Sequence, residues 1–183
     1  MENKLYRDKL YNQIQEQYGR LVYTYTCHLK EAQIITKRLN RFKWGQIILS
    51  GLSTGGIVVI IFGKTRIGSI ISGIVSVLLL IINSYLKGLD FGADANSHIQ
   101  TSNELWKIRE EYISLLTDFT SLSEPVIIDK RDALLLKTAE IYDAQLQTSR
   151  RAYNQAQQAL KDDEEQFFTQ IELNKMLPKH LRK

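Results

Sequence analysis

The chain has one cysteine, two prolines, and two long stretches with no charged residue at all. Each shortage excludes something. The lone Cys27 cannot form a disulfide within the chain, and it fits a reducing compartment for the segment that carries it. With only Pro125 and Pro178 to interrupt it, the backbone can run as helix almost anywhere. The first apolar run starts only at Trp44, behind a long charged segment, and no small-residue cleavage site follows it. A secretory signal peptide is therefore not expected. Also lacking are paired carboxylates in a pocket context, a Cys/His cluster and a nucleophile elbow, so no catalytic residue, metal or other cofactor is expected.

What is present is unevenly placed. Over 183 residues, 24% are charged and the formal net charge is +4. Mean hydropathy is −0.22, the average of an ordinary soluble protein. A charge of that size does not argue for nucleic acid, and direct nucleic-acid binding is not expected. The average conceals residues 44–62 and 67–86, which contain no Asp, Glu, Lys or Arg.

Between these runs stands FGKTRIG, residues 62–68. Its GKT invites comparison with a phosphate-binding loop, preceded as it is by IVVIIF, which reads as a buried strand. That loop needs a glycine five residues before Gly63, and the position holds Val58. The helix after such a loop also keeps one solvated face, whereas IGSIISGIVSVLLLIINSYL has none. A nucleotide enzyme is thus set aside in favour of a membrane hairpin. About twenty apolar residues cross a bilayer as helix, and each run has that length. At roughly 0.3–0.6 kcal/mol per Leu, Ile, Val or Phe, the second run inserts by itself. The first, diluted by glycine, serine, threonine and Gln46, inserts as its partner. The turn is then GKTR, residues 63–66, with Lys64 and Arg66 at the headgroups.

The expected organisation is all-α. Residues 1–43 form a cytoplasmic amphipathic helix, 44–86 a two-span hairpin (44–62 and 67–86), and 87–183 further cytoplasmic helices that bundle with the first. Lys30, Lys37, Arg38, Arg41 and Lys43 precede the hairpin and Lys87 follows it, against two basic residues in the turn, so both termini are expected in the cytoplasm. Lys37, Arg38, Arg41 and Lys43 are candidates for contact with anionic lipid.

Small residues mark the spans. Gly51 and Gly55 form a GxxxG pair; Ser69 with Gly73, and Ser72 with Ser76, repeat the pattern in the second run. Such residues let helices approach closely in lipid. Two readings stay open: packing inside one hairpin, favoured for Gly51 and Gly55, or packing between subunits with hydroxyls along a water-filled path. Asn83 is either an interfacial cap or a pore residue.

Before the membrane, Tyr11, Ile14, Tyr18, Leu21, Tyr25, His28, Ala32, Ile35, Leu39 and Phe42 keep heptad spacing, a coiled-coil seam with His28 as a polar register-setter. A bend is expected at Gly88 and Gly92, then a helix marked by Leu105, Ile108, Tyr112, Leu115, Phe119 and Leu122. Pro125 punctuates it, and Asp129 or Asp132 is expected to cap the next helix. That helix is expected to run from Leu135 through Tyr142, Leu146, Ser149 and Tyr153 to Phe167 as one seam.

The stretch FGADANSHIQTSNELWKIREEYISLLTDF, residues 91–119, with Phe91, His98, Asn103, Trp106, Arg109 and Asp118, resembles the SLATT family, the SMODS- and SLOG-associating two-transmembrane effector domains of bacteria. The resemblance implies an antiviral defence effector that oligomerises and forms a pore in, or disrupts, the inner membrane. It also implies a genetically linked sensor: a nucleotidyltransferase, a SLOG protein or a reverse transcriptase. A membrane-anchored scaffold without a pore is the rival expectation. Trp106 is expected in a helix–helix contact and Arg109 in an ion pair with Glu110 or Glu111 of a neighbour.

Overall fold

The computed structural model describes residues 2–63 and 66–182, and among these no strand occurs. Lys64 and Thr65, the middle of the expected GKTR turn, lie outside the described residues. The first helix, α1 (Glu2–Gly63), is 62 residues long and carries no proline. At 1.5 Å per residue it extends about 90 Å. The second, α2 (Arg66–Gly88), returns along its upper half. Then α3 (Phe91–Asp118) continues down the lower half of α1, so that Phe119 reaches Tyr11 near the bottom.

The bend between α2 and α3 falls at residues 89 and 90. There Asp90 accepts from the Ala93 N–H at 2.9 Å and caps α3, while Gly92 is already helical. Phe91, expected ahead of the helix, is its first residue. At the far end of α3, Arg7 closes the turn by donating to the carbonyls of Phe119 and Leu122. Helix α4 (Glu124–Ala144) then climbs beside α1, with Arg131 bonded to Gln13 and Tyr142 to Thr24. Pro125 sits in its first turn, where no N–H is needed. Its N-cap position is Ser123; Asp129 and Asp132, expected as caps, are inside the helix.

The single long third seam is the clearest correction. Helix α4 ends at Ala144, and α5 (Arg150–Lys161) and α6 (Gln170–Met176) follow as separate pieces. Ser149, placed in the seam by spacing, caps α5 by accepting from the Ala152 N–H, and its own N–H is taken by Glu31 at 2.7 Å. Side chains that offer the backbone other partners end a helix that periodicity alone would continue. The buried residues of α4 are Ile127 and Leu134, one position ahead of the expected Leu135. In α5, Ala152, Ala156 and Ala159 are buried. Their small side chains let the helix lie close against α1.

The core of the lower bundle joins Leu10, Ile14 and Leu21 of α1 to Leu105, Ile108, Tyr112 and Leu115 of α3 and to Ile127 and Leu134 of α4. Tyr11, Tyr18 and Tyr25 pack at its edge. Each large aliphatic side chain buried here contributes about 1.5–3 kcal/mol relative to exposure.

Candidate functional site

The upper half of the molecule has no such core. Its α1 segment turns Phe42, Gln46, Leu49 and Ser53 towards α2, which answers with Ser72, Val75, Leu79, Ile82 and Leu86 at steps of three and four. On the other sides, Trp44, Ile48, Leu52, Ile74 and Leu80 stand more than half exposed. One stretch among the described residues, Gly68–Asp118, is long and apolar enough to cross a membrane. Its most apolar window has mean hydropathy 2.1 and is only 6% buried.

Gln46 Nε2 donates to Asn83 Oδ1 at 2.6 Å across the hairpin. Steps of four carry the Gln46 face up through Ser50 and Thr54, and steps of seven carry the Asn83 face back through Ser76 and Ser69. Because Gln46 and Asn83 touch, these two rows stand on one side of the hairpin. All four hydroxyl residues are exposed. Thr54 donates to the Ser50 carbonyl and Ser76 to that of Ser72, so the hydroxyl protons are used within the helices and the oxygens face outward.

Gly51 and Gly55 lie elsewhere. They are two residues beyond Leu49 and Ser53, close to the opposite side of the helix, and a Cβ built on either meets nothing within 4 Å. Among the described residues, neither glycine has α2 close against it. Gly73 is equally open.

At the neck, the rings of Phe42, Tyr85 and Phe91 meet, with centroids 5.4–6.2 Å apart. Arg38 lies over the Phe91 ring at 5.4 Å and donates to Tyr85 Oη at 3.2 Å. It thus ties three helices together, while Lys37, Arg41 and Lys43 stay exposed.

Below the neck, His28 and His98 are both buried, with their Nδ1 atoms 2.8 Å apart. The Nε2 of His28 meets Gln145 Oε1 at 2.7 Å. An amide oxygen only accepts, so the His28 proton is on Nε2 and its Nδ1 accepts from the Nδ1–H of His98. Burial lowers the pKa of both rings; the Glu31 carboxylate opposes this at both, and Asp94 does so at His98. Burial, with Glu31 nearby, pushes the neighbouring Cys27 thiol up to about 11, which makes it a packing group rather than a nucleophile. Among the described residues no group of three His, Cys, Asp or Glu could hold a metal ion.

Heptad spacing, which made His28 a register-setter, missed this pair, since it does not join positions 28 and 98. The signal was available in another form. Gln46 with Asn83, Phe42 with Phe91, His28 with His98 and Tyr11 with Phe119 all lie at nearly matched sequence distances from the GKTR turn.

In α3, Trp106 is 47% exposed. Arg109 pairs with its own neighbour Glu110 at 2.7 Å. Asn103 and Asp118 are exposed.

A family model, described as SMODS and SLOG-associating 2TM effector domain family 4, matches residues 10–172. The chain belongs to this SLATT family. The match takes in the bundle, the neck and the hairpin of this SLATT chain, and the family is not a known family of enzymes. Neither a curated protein nor a solved structure matches the chain.

Proposed function

We propose that this SLATT chain is a two-span effector of the bacterial inner membrane, with both termini in the cytoplasm, that assembles with further copies to open a polar path. The observation that carries this reading is the one-sided row of Gln46, Ser50, Thr54, Ser69, Ser76 and Asn83 on an otherwise apolar hairpin. Polar oxygens that face lipid are costly, so the row needs water or another subunit. Two helices cannot enclose a path, hence several copies are required. Gly51 and Gly55, open on the side of α1 that faces away from α2, suit the close approach of a neighbouring hairpin. The exposed Lys37, Arg41 and Lys43 suit the headgroup layer beside it. The trigger would come from a linked sensor, a nucleotidyltransferase, a SLOG protein or a reverse transcriptase, acting on the cytoplasmic bundle.

The rival role is a scaffold that recruits a partner through its bundle, and the exposed Trp106 favours it. Reconstitution in liposomes separates the two. The effector reading expects ion release by the wild type and none by Ser76→Leu or Asn83→Leu proteins that still insert. Release that never occurs, even with the sensor activated, removes the pore and leaves the scaffold.

A further inference from the structure

A cleft of about 750 Å³ lies between α1, the end of α4 and α5. That is within the range of small-molecule sites, roughly 300–1,000 Å³. Three tyrosines line it, Tyr23 from α1, Tyr142 from α4 and Tyr153 from α5, together with the cations Arg20 and Lys161. The Tyr23 and Tyr153 rings stand 5.4 Å apart and tilted by 34°, and the Tyr23 hydroxyl, shut off from solvent, has the Tyr153 side chain beside it without a well-formed hydrogen bond among the described residues. Arg20 is held by Glu16, one turn away on the same exposed face.

We infer that this cleft binds a small anionic ligand with a flat ring, the chemistry of a nucleoside phosphate. Aromatic faces stack on any base, at about 1–3 kcal/mol per base. A phosphate can take Arg20 from Glu16 and draw in Lys161, and charge-assisted bonds of that kind are the stronger ones. The Tyr23 hydroxyl, without a well-formed bond of its own, supplies a donor at the inner wall. The site is also placed to act. Tyr142 is bonded to Thr24 at 3.1 Å, and the α4–α5 connection that borders the cleft carries Gln145 and Ser149, which bond His28 and Glu31. A ligand that shifts this connection loosens the buried histidine layer under the neck. The inference rests on the effector reading only for its consequence, since binding is measured without any permeability assay.

The test uses the full chain in nanodiscs and the fluorescence anisotropy of mant-AMP, a nucleoside monophosphate with a fluorescent ring. Saturable binding is expected, displaced by AMP and at least tenfold less well by adenosine or by inorganic phosphate. Tyr153→Ala should weaken binding at least tenfold, Tyr153→Phe less than threefold, and the Arg20→Ala/Lys161→Ala double variant at least tenfold. Tyr153→Phe keeps the ring against Tyr23 and should leave the melting temperature unchanged, and the exposed Arg20 makes the double variant a second control for folding. No saturable binding, no displacement by AMP, or binding that survives Tyr153→Ala and the double variant overturns the inference. Binding confirmed in a protein that never permeabilises liposomes keeps the cleft and removes the pore.

Discussion

The two halves of α1 carry the same kinds of side chain to opposite ends. Ile14, in the lower half, is fully buried, whereas Ile48, in the upper half, is 58% exposed. The helix between them is unbroken, so local propensity does not distinguish them. What differs is the company. Below the neck α1 is covered by α3, α4 and α5; above it only α2 lies alongside among the described residues. An apolar surface left open on this scale marks a site of interaction, and the stretch Gly68–Asp118, which begins in α2, is long and apolar enough to cross a membrane. The polar atoms divide in the same way. The lower half pairs its buried histidines within the chain, whereas the upper half turns its hydroxyl oxygens outward.

The comparison can be broken most forcefully in the core. Leu105→Ala or Ile14→Ala should destabilise the bundle by about 2–5 kcal/mol, while Ile48→Ala or Ile74→Ala should leave its unfolding midpoint unchanged; denaturant titration of the protein in detergent, followed by tyrosine fluorescence, reads both. An equal loss at Ile48 would mean that the upper half is packed after all. A smaller effect is expected at the histidine layer. His28→Ala strands His98 and Gln145 and should cost about 1–3 kcal/mol in the same titration, with Gln145→Ala costing less.

Acid should act on that layer too. Both rings have folded pKa values below the ordinary value of about 6.5, because burial disfavours the charged form. Above that pH they are neutral in either state. Below it the unfolded chain takes up protons that the folded chain refuses, so stability falls as the pH drops towards the folded values. Melting curves from pH 7.5 to 5 should show this slope, and a His28→Gln/His98→Gln double variant should lose part of it. The smallest effect belongs to the surface. Lys137 and Glu111 pair at 2.7 Å but are each nearly half exposed, so Lys137→Ala should change stability by about 0–1 kcal/mol.

How much of this was legible depended on whether a feature was local. The helical class, the long α1 and the alternation of Leu105, Ile108, Tyr112 and Leu115 follow from spacing, because one helix face sees one neighbour. The break at residues 145–149 does not, since it depends on Glu31 receiving the Ser149 N–H from a helix 118 positions away. The histidine pair lay between these extremes. Folding the sequence about GKTR brings positions 28 and 98 to the same level, yet only the tertiary structure adds Gln145 as the third member. Gly51 and Gly55 are the opposite case. The motif was visible, but the side of the helix it occupies relative to α2 was not.

The most direct test of the upper half is the accessibility of single cysteines, placed in a Cys27→Ser background, to a charged thiol reagent in native membranes. Cysteines at Ser50, Thr54 and Ser76 should react, while those at Ile48, Leu52 and Ile74 should be protected by lipid. Uniform labelling of all six positions, or labelling of the apolar three alone, would contradict a membrane hairpin with one polar side.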